Sequence, residues 1–128
     1  MLYLDVDYFK RTNDMHGHAE GDRVLVELAR ALREMFGPDA CIGRFGGDEF
    51  TIFLSETPNA PIVERVESLR KCAATIPVTI SVGSASVRDT GMLAEAMARA
   101  DAALLAAKAA GRNRHVGEAE FAALSAVA

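Results

Sequence analysis

The hydrophobic and polar positions of this chain change their spacing several times, and each change predicts a separate element. The run from Leu2 to Val6 is apolar up to its acidic end and too short for a helix, so it predicts a buried strand. From Gly21 to Phe36, apolar residues recur at helical spacing opposite a charged side, which predicts an amphipathic helix. Its apolar side consists of Val24, Leu25, Leu28, Leu32 and Met35. Gly37-Pro38-Asp39 ends this helix.

Two short apolar runs, Cys41 to Phe45 and Phe50 to Leu54, flank a pair of glycines and predict a hairpin. A linker bracketed by Pro58 and Pro61 leads into a second predicted helix. The buried stripe of that helix consists of Ile62, Val66, Leu69 and Ala73.

The segment from Pro77 to Val87 is rich in β-branched residues and predicts a long strand with a bulge at Gly83. A third helix is predicted from about Met92 to Ala110, and Gly111 ends it. Its inward residues are Leu93, Met97, Ala100 and Leu104. Helices between strands, together with one hairpin, predict an α/β (α+β) fold whose sheet is covered by helices on at least one face.

The composition describes one globular domain and disfavours several kinds of partner. The chain has 128 residues, 50% of them hydrophobic and 25% charged, which is typical of a single folded domain. A net charge of -4 provides no basic surface for nucleic acid. Without a membrane-length apolar run or a signal peptide, a cytoplasmic domain with no membrane contact is expected. Cys41 and Cys72 are isolated among apolar residues and are expected to be buried thiols.

The candidate chemistry is concentrated in the glycine turn Arg44-Phe45-Gly46-Gly47-Asp48-Glu49-Phe50. Paired glycines permit a positive φ and a close approach to a ligand, and the two adjacent acids offer hard oxygen donors. A second acidic pair, Asp5 and Asp7, lies at the end of the first predicted strand. The two pairs converge if their strands are neighbours in one sheet. Such a site favours Mg²⁺ held by a few carboxylates and by substrate phosphates.

Several conspicuous side chains have structural interpretations. The phenylalanines of the predicted strands and of the first loop are expected in the core, namely Phe9, Phe45, Phe50 and Phe53. Arg44, Arg99 and Asp101 are expected to lie at the surface or to brace the loops of the site.

The chain resembles the GGDEF domain, the diguanylate cyclase family, and the resemblance covers nearly all of it. Five blocks occur in the order of that family, whereas the glycine turn alone would also describe an ordinary charged hairpin. The blocks outside the turn are Asp5 to Lys10 with Asn13-Asp14, Gly17-His18 with Gly21-Asp22, Thr79 to Gly83, Ala100 to Leu104, and Ala107-Lys108 with Gly111 to Asn113. The resemblance implies a mainly antiparallel sheet wrapped by helices, similar to nucleotidyl cyclases and polymerase palm domains.

The resemblance also implies an activity, the condensation of two GTP molecules into cyclic di-GMP with release of pyrophosphate. Two divalent cations per site, Mg²⁺ or Mn²⁺, would neutralise the triphosphate and activate the attacking 3′-hydroxyl. The metal ligands implied are Asp5, Asp48 and the backbone carbonyl of Val6. Glu49 is a further ligand or the group that accepts the hydroxyl proton, and the sequence leaves open whether Asp48 or Glu49 is the base.

Further residues are implied in binding the nucleotide. The backbone N–H groups of Tyr8, Phe9 and Lys10 precede a short helix and suit a phosphate, and the Lys10 side chain adds a positive charge. Lys108 and Arg112 are four residues apart and are expected on one helical face gripping the terminal phosphates. Helix dipoles also favour cations there, so this pair has a structural alternative.

Guanine recognition is implied for Asp22, with Asn13 beside it and His18 near the nucleotide. A carboxylate accepts hydrogen bonds from the guanine N1–H and amine. Each of these residues has an ordinary alternative, because acids are common in a first helical turn, asparagines cap turns and histidines lie on surfaces.

Two departures from the family pattern are expected to matter. The positions that match an Arg-x-x-Asp product-inhibition site are Gly37 and Ala40, so no inhibition through that site is expected. The predicted catalytic domain, residues 1–117, starts at the first strand without the family's usual upstream helix, and residues 118–128 form an alanine-rich tail expected to be helical.

One set of site residues per chain, with a product made of two nucleotides, implies a homodimer. A fused upstream sensory or regulatory domain is also expected. Three rival functions are a catalytically silent GTP-binding regulatory domain, a non-enzymatic interaction domain, and a cyclase that makes a mixed adenine-guanine dinucleotide. Asp22 argues against the last of these.

Overall fold

The computed structural model describes residues 1–55 and 61–127, apart from the side chain of Thr90, and Pro58 of the predicted linker lies outside these residues. The strands are β1 Leu2–Val6, β2 Cys41–Arg44, β3 Glu49–Phe53, β4 Ile80–Ser84 and β5 His115–Gly117. The α-helices are α1 Phe9–His16, α2 His18–Phe36, α3 Ile62–Thr75, α4 Leu93–Ala109 and α5 Glu118–Val127. A single 3-10 turn over Thr90–Met92 precedes α4.

The strands form one sheet in the order β2-β3-β1-β4-β5. All neighbouring pairs are antiparallel except β4 and β5, which are parallel. This arrangement confirms the predicted α+β fold with a mainly antiparallel sheet. Because β1 lies at the centre, the acidic end of β1 has a strand on each side.

The two faces of β1 serve different purposes. Leu2, Leu4 and Val6 are buried in the main core with residues of α2 and α3. Tyr3 and Asp5 alternate with them and therefore lie on the opposite face, where Tyr3 packs with Ala100 and Leu104 of α4. One face of β1 thus contributes apolar side chains to the main core. The other face packs against α4 through Tyr3 and also carries the carboxylate of Asp5.

Gly83 has a packing role, and the bulge that the sequence predicted at this residue is absent. Strand β4 is shorter than predicted, and Gly83 is in regular register with Tyr3 of β1 and Val116 of β5, so there is no bulge. A Cβ at this position would overlap the Ala100 carbonyl oxygen and the Leu104 backbone nitrogen. Gly83 therefore lets the backbone of α4 lie directly on the sheet.

Three side chains expected in the interior are exposed instead. Cys41 is exposed because β2 is an edge strand, and Cys72 is only partly buried. Phe45 is 62% exposed because it follows the end of β2, where its ring packs edge-on against Tyr3 at a centroid distance of 5.7 Å. Leu93 is 40% exposed because α4 begins there.

The C-terminal part contains one predicted and one unpredicted element. The expected helix in the tail is α5, and Phe121 of that helix packs against Ala103, Ala107 and Val116. Strand β5 was not predicted, since three residues are too few to show a period. Among the described residues, no helix has the length and apolar character that crossing a bilayer requires.

Candidate functional site

The register of the sheet brings the glycine turn to the end of β1. Asp5 lies directly opposite Glu49 in the β1–β3 pair, and the Val6 N–H donates to the Asp48 carbonyl oxygen at 3.1 Å. Cβ atoms of directly opposed antiparallel residues lie about 5 Å apart. The predicted meeting of two acidic segments that are distant in sequence is therefore present in the structure.

The turn itself is braced by Arg44, as the sequence analysis allowed. The Arg44 Nε donates to the carbonyl oxygens of Gly46 and Gly47 at 3.2 and 3.1 Å. A Cβ at Gly46 would overlap the Glu49 carboxylate, so this glycine makes room for the acid. Contrary to the expectation, neither Gly46 nor Gly47 has a positive φ.

Asp5 lies between a lysine and two further acids of the site. Its Oδ2 accepts a hydrogen bond from Lys108 Nζ at 2.9 Å, and the Asp5 side chain is 12% exposed. Burial raises the pKa of Asp5, Lys108 lowers it, and the negative charges of Asp48 and Glu49 raise it further, so the net pKa lies above the ordinary carboxyl value. The charges of Asp48 and Glu49 act on Asp5 in addition to the lysine, and the three acids together outnumber this one cation.

Tyr3 is a member of this site that the sequence analysis missed. Burial, and next the charge of Glu49, raise the pKa of Tyr3 to about 12. An ordinary phenol is already protonated at neutral pH, so the raised pKa reports the burial of Tyr3 next to the acids. The period-2 alternation that places Tyr3 on the face of Asp5 was the available signal.

Asp5, Asp48 and Glu49 form an acidic cluster, and Asp7 does not join it. This corrects the expectation that Asp5 and Asp7 act as a pair. The Asp7 side chain is buried and accepts hydrogen bonds from Ser81 Oγ and Thr79 Oγ1, each at 2.7 Å, and from the Asn113 N–H at 3.0 Å. Its oxygens are directed at protein donors.

The start of α1 has the form of an anion site. Tyr8 is the N-cap, with a left-handed φ of 55°, and Phe9 and Lys10 are the first helical residues. N–H groups in the first turn of a helix have no partner within that helix. The Lys10 side chain is exposed, and Phe9 is partly buried against the main core.

Lys108 and Arg112 reach the site by different routes. The expectation that both lie on one helical face is wrong, because α4 ends at Ala109 and Arg112 has a φ of 64°. Lys108 pairs with Asp5, whereas the Arg112 guanidinium lies 4.7 Å above the centroid of the Tyr8 ring. The two cations thus flank the segment that runs from the end of β1 to the start of α1.

The candidate base-reading residues lie on α1 and α2. His18 and Asp22 are exposed and one helical turn apart on α2, so they share a face. Asn13 of α1 packs against Gly21, where a Cβ would overlap its Oδ1. That Oδ1 is buried without a hydrogen-bond partner in the described part of the chain. A buried acceptor of this kind suits a ligand that carries an N–H donor.

The donor set fits a cation that is shared with substrate. Within residues 1–55 and 61–127, no three His, Cys, Asp or Glu side chains are already arranged around a common point. Mg²⁺ is commonly held by one or two carboxylates together with waters and phosphates rather than by a complete protein cage. Asp5 with Asp48 or Glu49 meets that smaller requirement, and the Val6 carbonyl remains a predicted additional ligand.

A separate cavity of about 1070 Å³ lies at the other end of β1, lined in part by Met1, Ile62, Ser84 and His115. None of the candidate site residues lines it.

Comparisons with known proteins agree with this geometry. Residues 1–114 match the family model described as diguanylate cyclase, GGDEF domain. The chain is 36% identical over 120 residues to diguanylate cyclase DgcM of Escherichia coli K12, a match that covers 89% of this chain and 29% of that protein. It is 38% identical over 123 residues to diguanylate cyclase DgcP of Pseudomonas aeruginosa, covering 89% and 18%. The chain therefore spans less than a third of the length of these two relatives.

Solved structures give the same result. The GGDEF domain of DgcB from Caulobacter crescentus, determined in complex with c-di-GMP, has a TM-score of 0.78 at 31% identity, covering 91% of this chain and 75% of that one. The active GGEEF domain of a diguanylate cyclase from Vibrio cholerae has a TM-score of 0.78 at 32% identity, covering 91% and 80%. This chain belongs to the diguanylate cyclase family of GGDEF domains.

Proposed function

We propose that this domain condenses two GTP molecules into cyclic di-GMP and releases pyrophosphate. The observation that carries the proposal is the cross-strand pairing of Asp5 with Glu49, which concentrates carboxylates at one edge of the sheet. Similarity to proteins named as diguanylate cyclases adds support. The residues that the family resemblance implies for catalysis, Asp48, Glu49 and Lys10, are present in this chain.

Asp5, Asp48 and Glu49, with the Val6 carbonyl, are the proposed ligands of two Mg²⁺ or Mn²⁺ ions. When bound, these ions supply charge neutralisation on the triphosphate and a lowered pKa for the attacking 3′-hydroxyl. Asp48 or Glu49 accepts the hydroxyl proton. Lys108 neutralises part of this cluster through Asp5. Its ammonium would be available to a phosphate oxygen if a cation were bound at Asp5.

The remaining residues bind the two ends of GTP. The N–H groups of Phe9 and Lys10 and the side chains of Lys10, Lys108 and Arg112 bind phosphates. Asn13, Asp22 and His18 line the guanine site. The Asn13 Oδ1, which has no hydrogen-bond partner among residues 1–55 and 61–127, accepts from a guanine N–H there. Both functions involve α1, which joins them into one nucleotide site.

A second copy of the domain is needed for turnover. Cyclic di-GMP contains two equivalent nucleotides, so a twofold pair of domains, each presenting one GTP to the other, is the simplest arrangement. We propose that a fused upstream domain brings the copies together in a cytoplasmic bacterial protein. This chain matches less than a third of the length of the two diguanylate cyclases described above, which is consistent with further domains in such proteins.

The test is product analysis after incubation of the dimeric protein with Mg²⁺ and GTP, ATP or both. Cyclic di-GMP from GTP alone is expected, and Asp48→Ala should reduce turnover by at least about 10²-fold because a metal ligand is lost. The fold should survive, since the Val6 N–H bonds to the backbone of residue 48. Binding of GTP without turnover would favour the silent regulatory function instead, and a mixed dinucleotide would favour the third rival.

A further inference from the structure

Asp7 carries a buried carboxylate that has no part in the proposed reaction. It is 4% exposed, and it accepts hydrogen bonds from three donors on two different segments. Ser81 of β4 and Thr79, the residue just before that strand, donate from one side. The Asn113 N–H donates from the turn after α4. Asp7 therefore joins the end of β1 to β4 and to this turn.

The turn that Asp7 holds has an unfavourable backbone. Gly111, Arg112 and Asn113 have consecutive positive φ values of 112°, 64° and 48°. A Cβ makes this region costly for arginine and less so for asparagine, whose short polar side chain tolerates it. The left-handed Arg112 therefore persists only where its surroundings fix it. The Arg112 N–H donates to the Ala107 carbonyl oxygen, and the Asn113 N–H donates to Asp7 Oδ2. Arg114 Nε donates to the Arg112 carbonyl oxygen, and Arg70 Nη1 donates to Asn113 Oδ1. Among these contacts, Asp7 is the one that joins the turn to β1.

The consequence of this backbone is the position of Arg112. Its guanidinium lies above the Tyr8 ring, and its Nη1 is 3.4 Å from the Tyr8 hydroxyl oxygen. Tyr8 directly follows Asp7 and caps α1. Asp7 thus contacts the turn that carries Arg112, and Tyr8, the residue after Asp7, lies beneath the guanidinium.

The hydrogen bonds of Asp7 argue against a role as a metal ligand. A carboxylate offers about four lone-pair positions, and three donors already occupy Asp7. Asp5, two residues earlier, instead faces Lys108 and the acids of the turn. The two aspartates therefore have separate functions despite their proximity in sequence.

We propose that Asp7 is a positioning residue that acts through Arg112, holding the 111–113 turn so that the guanidinium is ready to bind the terminal phosphates of the nucleotide. This inference rests on the proposed function. It predicts that loss of Asp7 weakens binding of a triphosphate but not of a monophosphate, because the base-reading residues lie elsewhere on α1 and α2.

The experiment compares a non-hydrolysable GTP analogue with GMP, both with Mg²⁺, by calorimetry. Asp7→Ala should raise the Kd for the analogue by about tenfold, as expected for loss of roughly one charged contact, and should leave the Kd for GMP unchanged. Asp7→Asn keeps an oxygen for Asn113 and an amide for Ser81, so it should stay within about threefold of wild type. Asp39→Ala, an exposed acid outside the site, is the matched control.

Two further measurements address the route of the effect and the fold. If Asp7 acts through Arg112, the Asp7→Ala/Arg112→Ala double variant should bind the analogue no more than about twofold worse than Arg112→Ala alone. Amide exchange at Asn113 should accelerate in Asp7→Ala and stay slow in Asp7→Asn. Should Asp7→Ala not fold, Thr79→Val, which removes one donor from Asp7, is expected to weaken analogue binding selectively by a few fold.

The outcomes separate this inference from the proposed function. Equal analogue affinity in wild type and Asp7→Ala, additive losses in the double variant, or an Asp7→Asn variant as impaired as Asp7→Ala would each overturn the positioning role. No preference of the wild type for the triphosphate would overturn it too. A wild type that prefers the analogue to GMP but makes no cyclic dinucleotide would overturn the cyclase activity and leave the role of Asp7 intact.

Discussion

Lys108 Nζ lies 2.9 Å from Asp5 Oδ2, so a lysine near the end of α4 is the counter-ion of the central acid of the site. Even with this partner, the net environment raises the pKa of Asp5, because burial and the charges of Asp48 and Glu49 exceed the effect of the lysine. The folded protein therefore keeps an ionised group that it does not fully compensate. Such a cost is typical of a site built to receive a cation.

The first prediction is that Asp5→Asn stabilises the metal-free domain while abolishing its activity. Because the pKa of Asp5 is raised in the folded state, the folded protein loses stability as the pH increases from the ordinary carboxyl value of 3.8 through the raised pKa. Above the raised pKa the loss is complete. The variant should therefore gain on the order of a few °C in Tm at pH 8 and little at a pH of about 3.5, below the ordinary carboxyl value. Differential scanning calorimetry at both values measures this difference.

The control for this prediction is Asp39→Asn, an exposed acid remote from the cluster. It should leave Tm nearly unchanged at both pH values. If Asp5→Asn were less stable than wild type at pH 8, the ion pair with Lys108 would outweigh the burial and repulsion, and the interpretation of Asp5 would be wrong.

The second prediction concerns the guanine site. Asp22→Ala should lower the preference for GTP over ATP, measured as the ratio of kcat/KM, by about 10- to 100-fold, because a hydrogen bond to a charged group contributes about 1.5–3 kcal/mol. The side chain is exposed, so little change in stability is expected. Asp14→Ala, another exposed acid on α1, should leave the ratio unchanged. An unaltered ratio in Asp22→Ala would assign base selection to other residues.

The third prediction concerns the close contact between Gly83 and α4. Gly83→Ala should lower the free energy of unfolding by at least about 2 kcal/mol, because the added methyl meets backbone atoms of Ala100 and Leu104, which cannot move alone. Urea denaturation measures the loss. Gly91→Ala is the matched control, since the nearest atom to its Cβ would be Asp89 Oδ1 at 3.8 Å. Equal stability of the two variants would contradict direct packing of α4 on the sheet.

These sites show how far the sequence could predict the structure. The strand from Leu2 to Val6 and the hairpin were predictable because local apolar patterns specify them, and the motif blocks correctly brought Asp5 to the glycine turn. The left-handed backbone of Asn113 was not predictable, because its N–H bonds to Asp7, a residue distant in sequence. The exposure of Cys41 depends on the strand order, which local patterns do not determine.

The fourth prediction is that cyclic di-GMP does not bind this domain through the positions that match the family's inhibitory site. Gly37 and Ala40 provide neither a guanidinium nor a carboxylate, and Gly37 ends α2 with a φ of 75°, where a side chain would be strained. Isothermal titration should therefore give the same product affinity for wild type and for Ala40→Ser. The double variant Gly37→Arg/Ala40→Asp should gain affinity for the product, and the gain should be reduced by the strain at residue 37. Tight product binding by the wild type that is lost in Ala40→Ser would show that these positions already bind the product through their backbone.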